Sequence, residues 1–179
     1  MTFIFQCIWY MLPAGFANMS PVLMKFGFKK IAKPVDGGHT WHGKPILGKS
    51  KTWRGYLFAP IFGLIMFGFQ QYLYQFEAIQ RLSFFNYHEQ TIWLGALLGA
   101  GAILGDSLKS FFKRRVNLRP GQSWIPFDQI DYTLGGLTLG AILFWPGWNV
   151  FGTVIGVGLF LHMIVNLIGY SIKLQKTKL

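Results

Sequence analysis

Three of the chain's six carboxylates fall in one stretch, Gly105 to Asp131 (GDSLKSFFKRRVNLRPGQSWIPFDQID), beside five cations, Lys109, Lys113, Arg114, Arg115 and Arg119. On a helix, Asp106, Ser110 and Lys113 stand at i, i+4 and i+7 and share a face, with Lys109 and Arg114 flanking it. Arg115 points to the opposite side, where it would meet lipid headgroups. Pro120-Gly121 turns the chain, and Pro126 can open a second helix on which Asp128 and Asp131, three apart, share a face. If the two faces meet in one hairpin, Asp106, Asp128 and Asp131 can hold one or two Mg²⁺ ions, which bind through a few carboxylates plus substrate phosphates. The neighbouring cations would neutralise the remaining phosphate charge. The competing reading is a basic cluster that attracts anionic lipid, with the aspartates in surface ion pairs. The acids argue against it: a topology signal needs only cations, and a carboxylate at the end of a membrane helix is costly unless it binds something.

A second candidate is the loop Pro34 to Gly55 (PVDGGHTWHGKPILGKSKTWRG). Gly43 to Ser50 formally matches a P-loop, but that motif needs a buried strand before it and a helix after it in an α/β sheet, and no βαβ pattern exists in this chain. Glycines beside Lys49, Lys51 and Arg54 can still bind phosphate through backbone N–H groups and charge. Asp36, His39 and His42 stand three apart, yet two histidines and an acid in a glycine-rich loop are more often ordinary loop residues than a metal site. His162 and Asn166, four apart, are expected to hydrogen-bond inside a helical bundle.

The elements that must position these residues are apolar. The chain has 179 residues, 52% of them hydrophobic, only 13% charged, with 18 Phe and a mean hydropathy of +0.36. That composition suits an all-α, polytopic membrane protein of one domain, residues 1–179. Five transmembrane helices are expected near 1–24, 56–76, 91–106, 132–146 and 149–171, with polar loops at 25–55 and 107–131. Pro13 and Pro21 predict a hinged or broken first helix. The third apolar run, Thr91 to Gly105, is short for a crossing and must extend past Asp106 or meet a thin bilayer. Trp145 to Asn149 supplies the last turn. With this count, sixteen of the seventeen cations lie on one side, leaving only Arg81 on the other. The positive-inside rule makes that side cytoplasmic, with the N-terminus outside, the tail inside and the active site on the cytoplasmic face of the cell membrane. A net charge of +11 does not indicate nucleic acid here, because the cations sit between apolar spans and not over an amphipathic surface. The lone Cys7 excludes an internal disulfide, and no cleavable signal peptide is expected. Glycine pairs four apart, such as Gly101 and Gly105, would let helices approach closely in lipid.

GDSLKSFFKRR, the Pro-Gly turn and FDQID, with KSKTWRG ahead of the second span, resemble the CDP-archaeol synthases, membrane cytidylyltransferases similar to the CDP-diacylglycerol synthases. The resemblance covers essentially the whole chain. It implies that CTP reacts with the phosphate of a glycerolipid, giving a CDP-activated lipid and pyrophosphate, with Mg²⁺ required. By position it implies catalytic roles for Asp106, Lys113, Arg114, Asp128 and Asp131, the three aspartates being the metal ligands. Lys51, Thr52 and Arg54 match a loop motif that would close over CTP or the lipid phosphate. With Lys49, Lys109, Ser110, Gly121 and Gln129 they form the substrate-binding candidates. Gln122-Ser123-Trp124 stands where the diacylglycerol enzymes have His-Gly-Gly, and His42 and Lys49 stand where archaeal-type enzymes often have an acid. These departures bear on the lipid more than on the reaction, and both ether-linked isoprenoid and ester-linked diacyl tails stay open. Expected partners are CTP, a membrane glycerolipid phosphate and the bilayer, with a homo-oligomer allowed. The alternative is a small transporter or channel for an anionic solute. It predicts ionisable groups along a path through the membrane, whereas here, His162 aside, they collect at one surface.

Overall fold

The computed structural model describes residues 2–24, 27–119 and 122–171, with residues 161–171 given by their backbone. Five long helices pack into a bundle: α1 (Thr2–Leu23), α2 (Trp53–Leu73), α4 (Trp93–Arg115), α5 (Phe127–Gly140) and α6 (Trp148–Ser171). A short α3 (Glu77–Arg81) lies between α2 and α4. The polar loop before α2 carries a small antiparallel hairpin, β1 (Thr40–Trp41) with β2 (Lys44–Pro45), and no strand-turn-helix unit that would make a P-loop of Gly43 to Ser50.

α1 runs unbroken through Pro13 and Pro21, so the helix is not broken there. It lies at the centre of the bundle and touches α2, α4, α5 and α6, and those neighbours hold the helix together across its two prolines. The helix of the third apolar run continues past Asp106 to Arg115, 23 residues in all. α5 begins five residues before the expected span and ends at Gly140, because Asp128 and Asp131 find partners on α4 and need not wait outside the helix.

The packing inverts that of a water-soluble bundle. α2 turns Gly55, Ala59, Gly63 and Phe67 inward, while Leu57, Ile61, Ile65 and Phe69, also four apart, stand about half exposed on the outside. Small residues inside let backbones meet, and large apolar residues outside suit a lipid solvent. Among the described residues, α2 is the helix long and apolar enough to cross a membrane, and the part Trp148–Phe160 of α6 is apolar but shorter. At one end of the bundle Tyr10, Phe84, Phe85, Tyr87 and Phe144 form an aromatic plug with ring centres 4.4 to 6.3 Å apart. Gln6 and Gln71 tie the connector to it by bonding backbone carbonyls of Arg81, Ser83, Tyr87 and Gln90. Apart from Glu77, Arg81 and Glu89 in that connector, the charged side chains among the described residues gather at the other end. The side chains of His162 and Asn166, Gly121 and the C-terminal lysines lie outside what is described.

Candidate active site

The site begins with two glycines. A Cβ on Gly105 would overlap the Asp131 carbonyl oxygen, and one on Gly101 would overlap that of Gly135, so α4 and α5 cross with their backbones touching. One turn beyond Gly105, Lys109 reaches over the crossing. Its Nζ stands 3.1 Å from Asp106 Oδ1, 3.0 Å from Asp128 Oδ1 and 2.5 Å from Asp131 Oδ2. Lys113, one turn further along, donates to both oxygens of Asp128 at 3.0 Å. From the loop before α2, Lys51 pairs with Asp106 Oδ2. Three ammonium groups thus match three carboxylates, with side-chain exposures of only 5 to 18%. At that depth, removing one partner leaves an uncompensated charge at a cost of about 3–5 kcal/mol. Burial alone would pull the Lys109 pKa down, but Asp106 and Asp131 carry it above the ordinary lysine value. Burial alone would raise Asp128, but Lys113, the Trp124 N–H and Lys109 hold it below the ordinary carboxylate range.

Two cavities of opposite character meet at this cluster. One, of about 900 Å³, is lined by seven cations (Lys44, Lys49, Lys51, Lys109, Lys113, Arg114 and Arg119) and two carboxylates, Asp36 and Asp106, with Ser50, Ser110 and Asn117 among them. Arg114 presents a buried Nε with no hydrogen-bond partner among the described residues, a donor suited to an anion. The other, of about 740 Å³, runs between α4 and α5 past Leu104, Leu108, Phe112, Trp124, Phe127, Ile130 and Leu134. Its polar lining is sparse, and Asp131 and Lys109 stand in it. Among the described residues, Lys109 is the one that lines both.

The loop wall of the polar cavity is organised by Asp36. Its carboxylate accepts from Gly38 N at 3.0 Å and from Leu47 N and Gly48 N at 2.9 Å. Burial opposes its ionisation, but those amides outweigh it and hold the group below the usual carboxylate range. Among the described residues no three His, Cys, Asp or Glu are grouped as ligands of an ion, and Asp36 is a pin for the loop backbone.

Of the candidates named from the sequence, Lys49, Lys51, Asp106, Lys109, Ser110, Lys113 and Arg114 line the polar cavity. Asp128 and Asp131 join them through Lys109. Lys109, expected at the flank, is the hub; its reach across the crossing depends on Gly105 and not on its helical phase alone. Thr52 caps α2, accepting from Gly55 N, and Arg54 donates to Gly27 O at 3.0 Å; neither lines the cavity. Gln129 is buried away from both cavities. Gly121 lies outside the described residues. Arg115 does not face lipid: its guanidinium binds the carbonyls of Trp41, Lys44 and Pro45. Sequence reasoning missed the apolar groove, since Leu108, Phe127 and Leu134 look like any membrane-facing residue until α4 and α5 are set side by side. It also missed Asn117 and Lys44 as lining residues, which nothing in the local sequence distinguishes.

Carboxylate oxygens are the donors a hard divalent cation takes, but as they stand these three close on the Lys109 ammonium and not on a ready-made metal position. Asp106, Asp128 and Asp131 are the residues that would hold the ion, in competition with that ammonium.

The family model for CarS-like CDP-archaeol synthase matches residues 1–178. A CDP-archaeol synthase of Thermococcus kodakarensis is 39% identical over 135 residues, covering 75% of this chain and 72% of that one. That of Methanocaldococcus jannaschii is 30% identical over 173 residues, covering 96% and 95%. A solved structure, described as structural insight into an intramembrane enzyme for archaeal membrane lipids biosynthesis, superposes with a TM-score of 0.69 at 28% identity, over 89% of this chain and 92% of that one. These matches set aside the transport alternative: the chain belongs to the CDP-archaeol synthase family, and is a membrane enzyme of the CTP-dependent cytidylyltransferase class.

Proposed function

We propose that the enzyme transfers CMP from CTP to the phosphate of an archaeal-type lipid, 2,3-bis-geranylgeranyl-glyceryl phosphate or a related phosphatidate, giving a CDP-activated lipid and pyrophosphate. The observation that carries this reading is the pair of cavities meeting at Lys109, one cationic and one apolar. A nucleoside triphosphate suits the cationic cavity, where Lys49, Lys113, Arg114 and Arg119 offset phosphate charge. The isoprenoid chains suit the groove between α4 and α5, which leads a lipid's phosphate toward Asp131 and Lys109.

A lipid-phosphate oxygen is already anionic near neutral pH and needs no strong base. It forms a bond to the α-phosphorus of CTP as the bond from that phosphorus to the bridging oxygen of the β-phosphate breaks, and pyrophosphate leaves. Mg²⁺ bound to Asp106, Asp128 and Asp131 would supply charge neutralisation on the transferring and leaving groups. Lys109, lining both cavities, would offset the repulsion between the two phosphates as they approach, and Lys51 would orient Asp106. Five crossings, with the charged end on the cytoplasmic side and the N-terminus outside, would give the site access to CTP; the placement of Lys and Arg supports that topology.

The test is pyrophosphate release by purified protein given CTP, Mg²⁺ and either the unsaturated archaeal ether-lipid phosphate or phosphatidate. Turnover should require CTP and prefer the ether lipid, and Asp128→Asn and Asp131→Asn should each lose at least about 100-fold. Full turnover in both variants would refute the ligand assignment.

A further inference from the structure

Arg115, the last residue of α4, holds the hairpin of the preceding loop. Its Nη1 donates to Trp41 O at 2.7 Å, and its Nη2 donates to Lys44 O at 3.3 Å and to Pro45 O. Its Cζ lies 4.8 Å from the centre of the Phe111 ring and 5.3 Å from that of Trp41, and the two rings stack on each other at 5.4 Å. Lys44 Nζ returns a bond to Arg115 O at 2.8 Å. A planar fork with donors on separate nitrogens can serve three carbonyls of one hairpin while lying against aromatic faces; a lysine ammonium cannot do both.

The hairpin needs such a tether. Its strands have two residues each, Trp41 is half exposed, and no buried residue belongs to either strand. The root of the loop is held separately, by Val35 N to Lys51 O at 2.8 Å and Trp53 N to Lys33 O at 3.0 Å. Between root and tip, Asp36 pins Leu47 and Gly48. Lys44, Pro45, Leu47, Gly48 and Lys49 form one wall of the polar cavity, and Arg115 itself is not in the lining.

We infer that Arg115 is a positioning residue for the nucleotide: by clasping the hairpin to the end of α4 it sets where the wall bearing Lys44 and Lys49 stands. The inference rests on the reading of the polar cavity as the CTP site. The carboxylate cluster belongs to α4 and α5, and the root bonds keep Lys51 against Asp106, so loss of the clasp should act on CTP binding and spare the reaction.

The experiment is steady-state kinetics in detergent, with CTP and lipid phosphate varied in turn, beside thermal unfolding. In Arg115→Ala the KM for CTP should rise on the order of tenfold, as expected for a lost group of charge-assisted hydrogen bonds. kcat should stay within about threefold, and the lipid KM and Tm should not move. Arg115→Lys should recover part of the CTP KM. Should Arg115→Ala fail to fold, Trp41→Leu, which removes the stacked face and leaves the backbone carbonyls, carries the same test with a smaller CTP-selective rise. An unchanged CTP KM, or equal losses in both KM values together with Tm, overturns the inference. Lys49→Met separates the two levels. If it raises the CTP KM and Arg115→Ala does not, the clasp alone is wrong; if neither does, the assignment of the cavity falls with it.

Discussion

The polar cavity and the apolar groove are built from the same helix by opposite means. Along α4, Asp106, Ser110, Lys113 and Arg114 face a loop whose backbone is held by Asp36 and Arg115; Leu104, Leu108 and Phe112 face the groove shared with α5. One wall is a glycine-rich loop tied down by hydrogen bonds, and the other is a helix pressed against α4 through Gly101, Gly105 and Gly135. A charged, water-soluble substrate and a lipid cannot share a solvent. On the proposed function the fold would keep them on separate faces and let them meet at one ammonium, Lys109. On that proposal the chemistry belongs where the two faces touch, and each face should be separable from the other by mutation.

The most severe way to break the comparison is to take away what both faces need. Stripping divalent cations with a chelator should stop pyrophosphate release, and added Mg²⁺ should restore it; turnover that persists would exclude the three aspartates as ligands of a required ion. Lys109→Met comes next. It removes the one group shared by the cavities, and should cut kcat by about 100- to 1,000-fold. The same variant should bind Mn²⁺ more tightly, seen by electron paramagnetic resonance, because the ammonium that competes for the carboxylates is gone. Weaker Mn²⁺ binding would contradict that competition.

Two milder substitutions sharpen the comparison by splitting it. Lys49→Met should raise the KM for CTP about tenfold, near 1.4 kcal/mol, and leave the lipid KM alone. Leu134→Asn, in the groove, should do the reverse by a similar factor. If each change moved both constants equally, the cavities would not be independent. The smallest effect concerns pH. Asp36 has a depressed folded pKa, so the loop order it provides is present above its unfolded value of about 3.9 and is lost only as the pH falls through the lowered folded value. Hydrogen exchange at Leu47 and Gly48 should therefore show constant protection relative to the chain from pH 5 to 8, with Asp36→Asn losing it across that range.

Much of the site was legible because charge and helical phase are local. Asp106, Ser110 and Lys113 can be placed on one face from spacing alone, and Asp128 with Asp131 on another. The extension of α4 beyond Asp106 followed from the length of a crossing. Arg115 was misread for the same reason that Lys113 was read well: helical phase tells which way a side chain leaves its helix and nothing about what another segment brings to that side. Here a loop more than sixty residues earlier supplies three carbonyls. Thr52 and Arg54 show the converse, since a motif that fits a family pattern locates them in the loop but not in the cavity.

The sequence by itself determined the inventory and its segregation: an apolar, helical chain with its acids and bases collected between spans, in proportions suited to a metal and phosphates. Those are properties of composition and of a period of 3.6 residues, and they need no partner. Only the tertiary structure decided which groups share a proton or a charge, that Lys109 stands between three aspartates, that α4 separates a polar cavity from a greasy one, and that Arg115 holds the loop. Each of these depends on the distance between segments far apart in the chain. In this molecule that distance is set where the α4 and α5 backbones touch at glycines, a contact no local pattern measures.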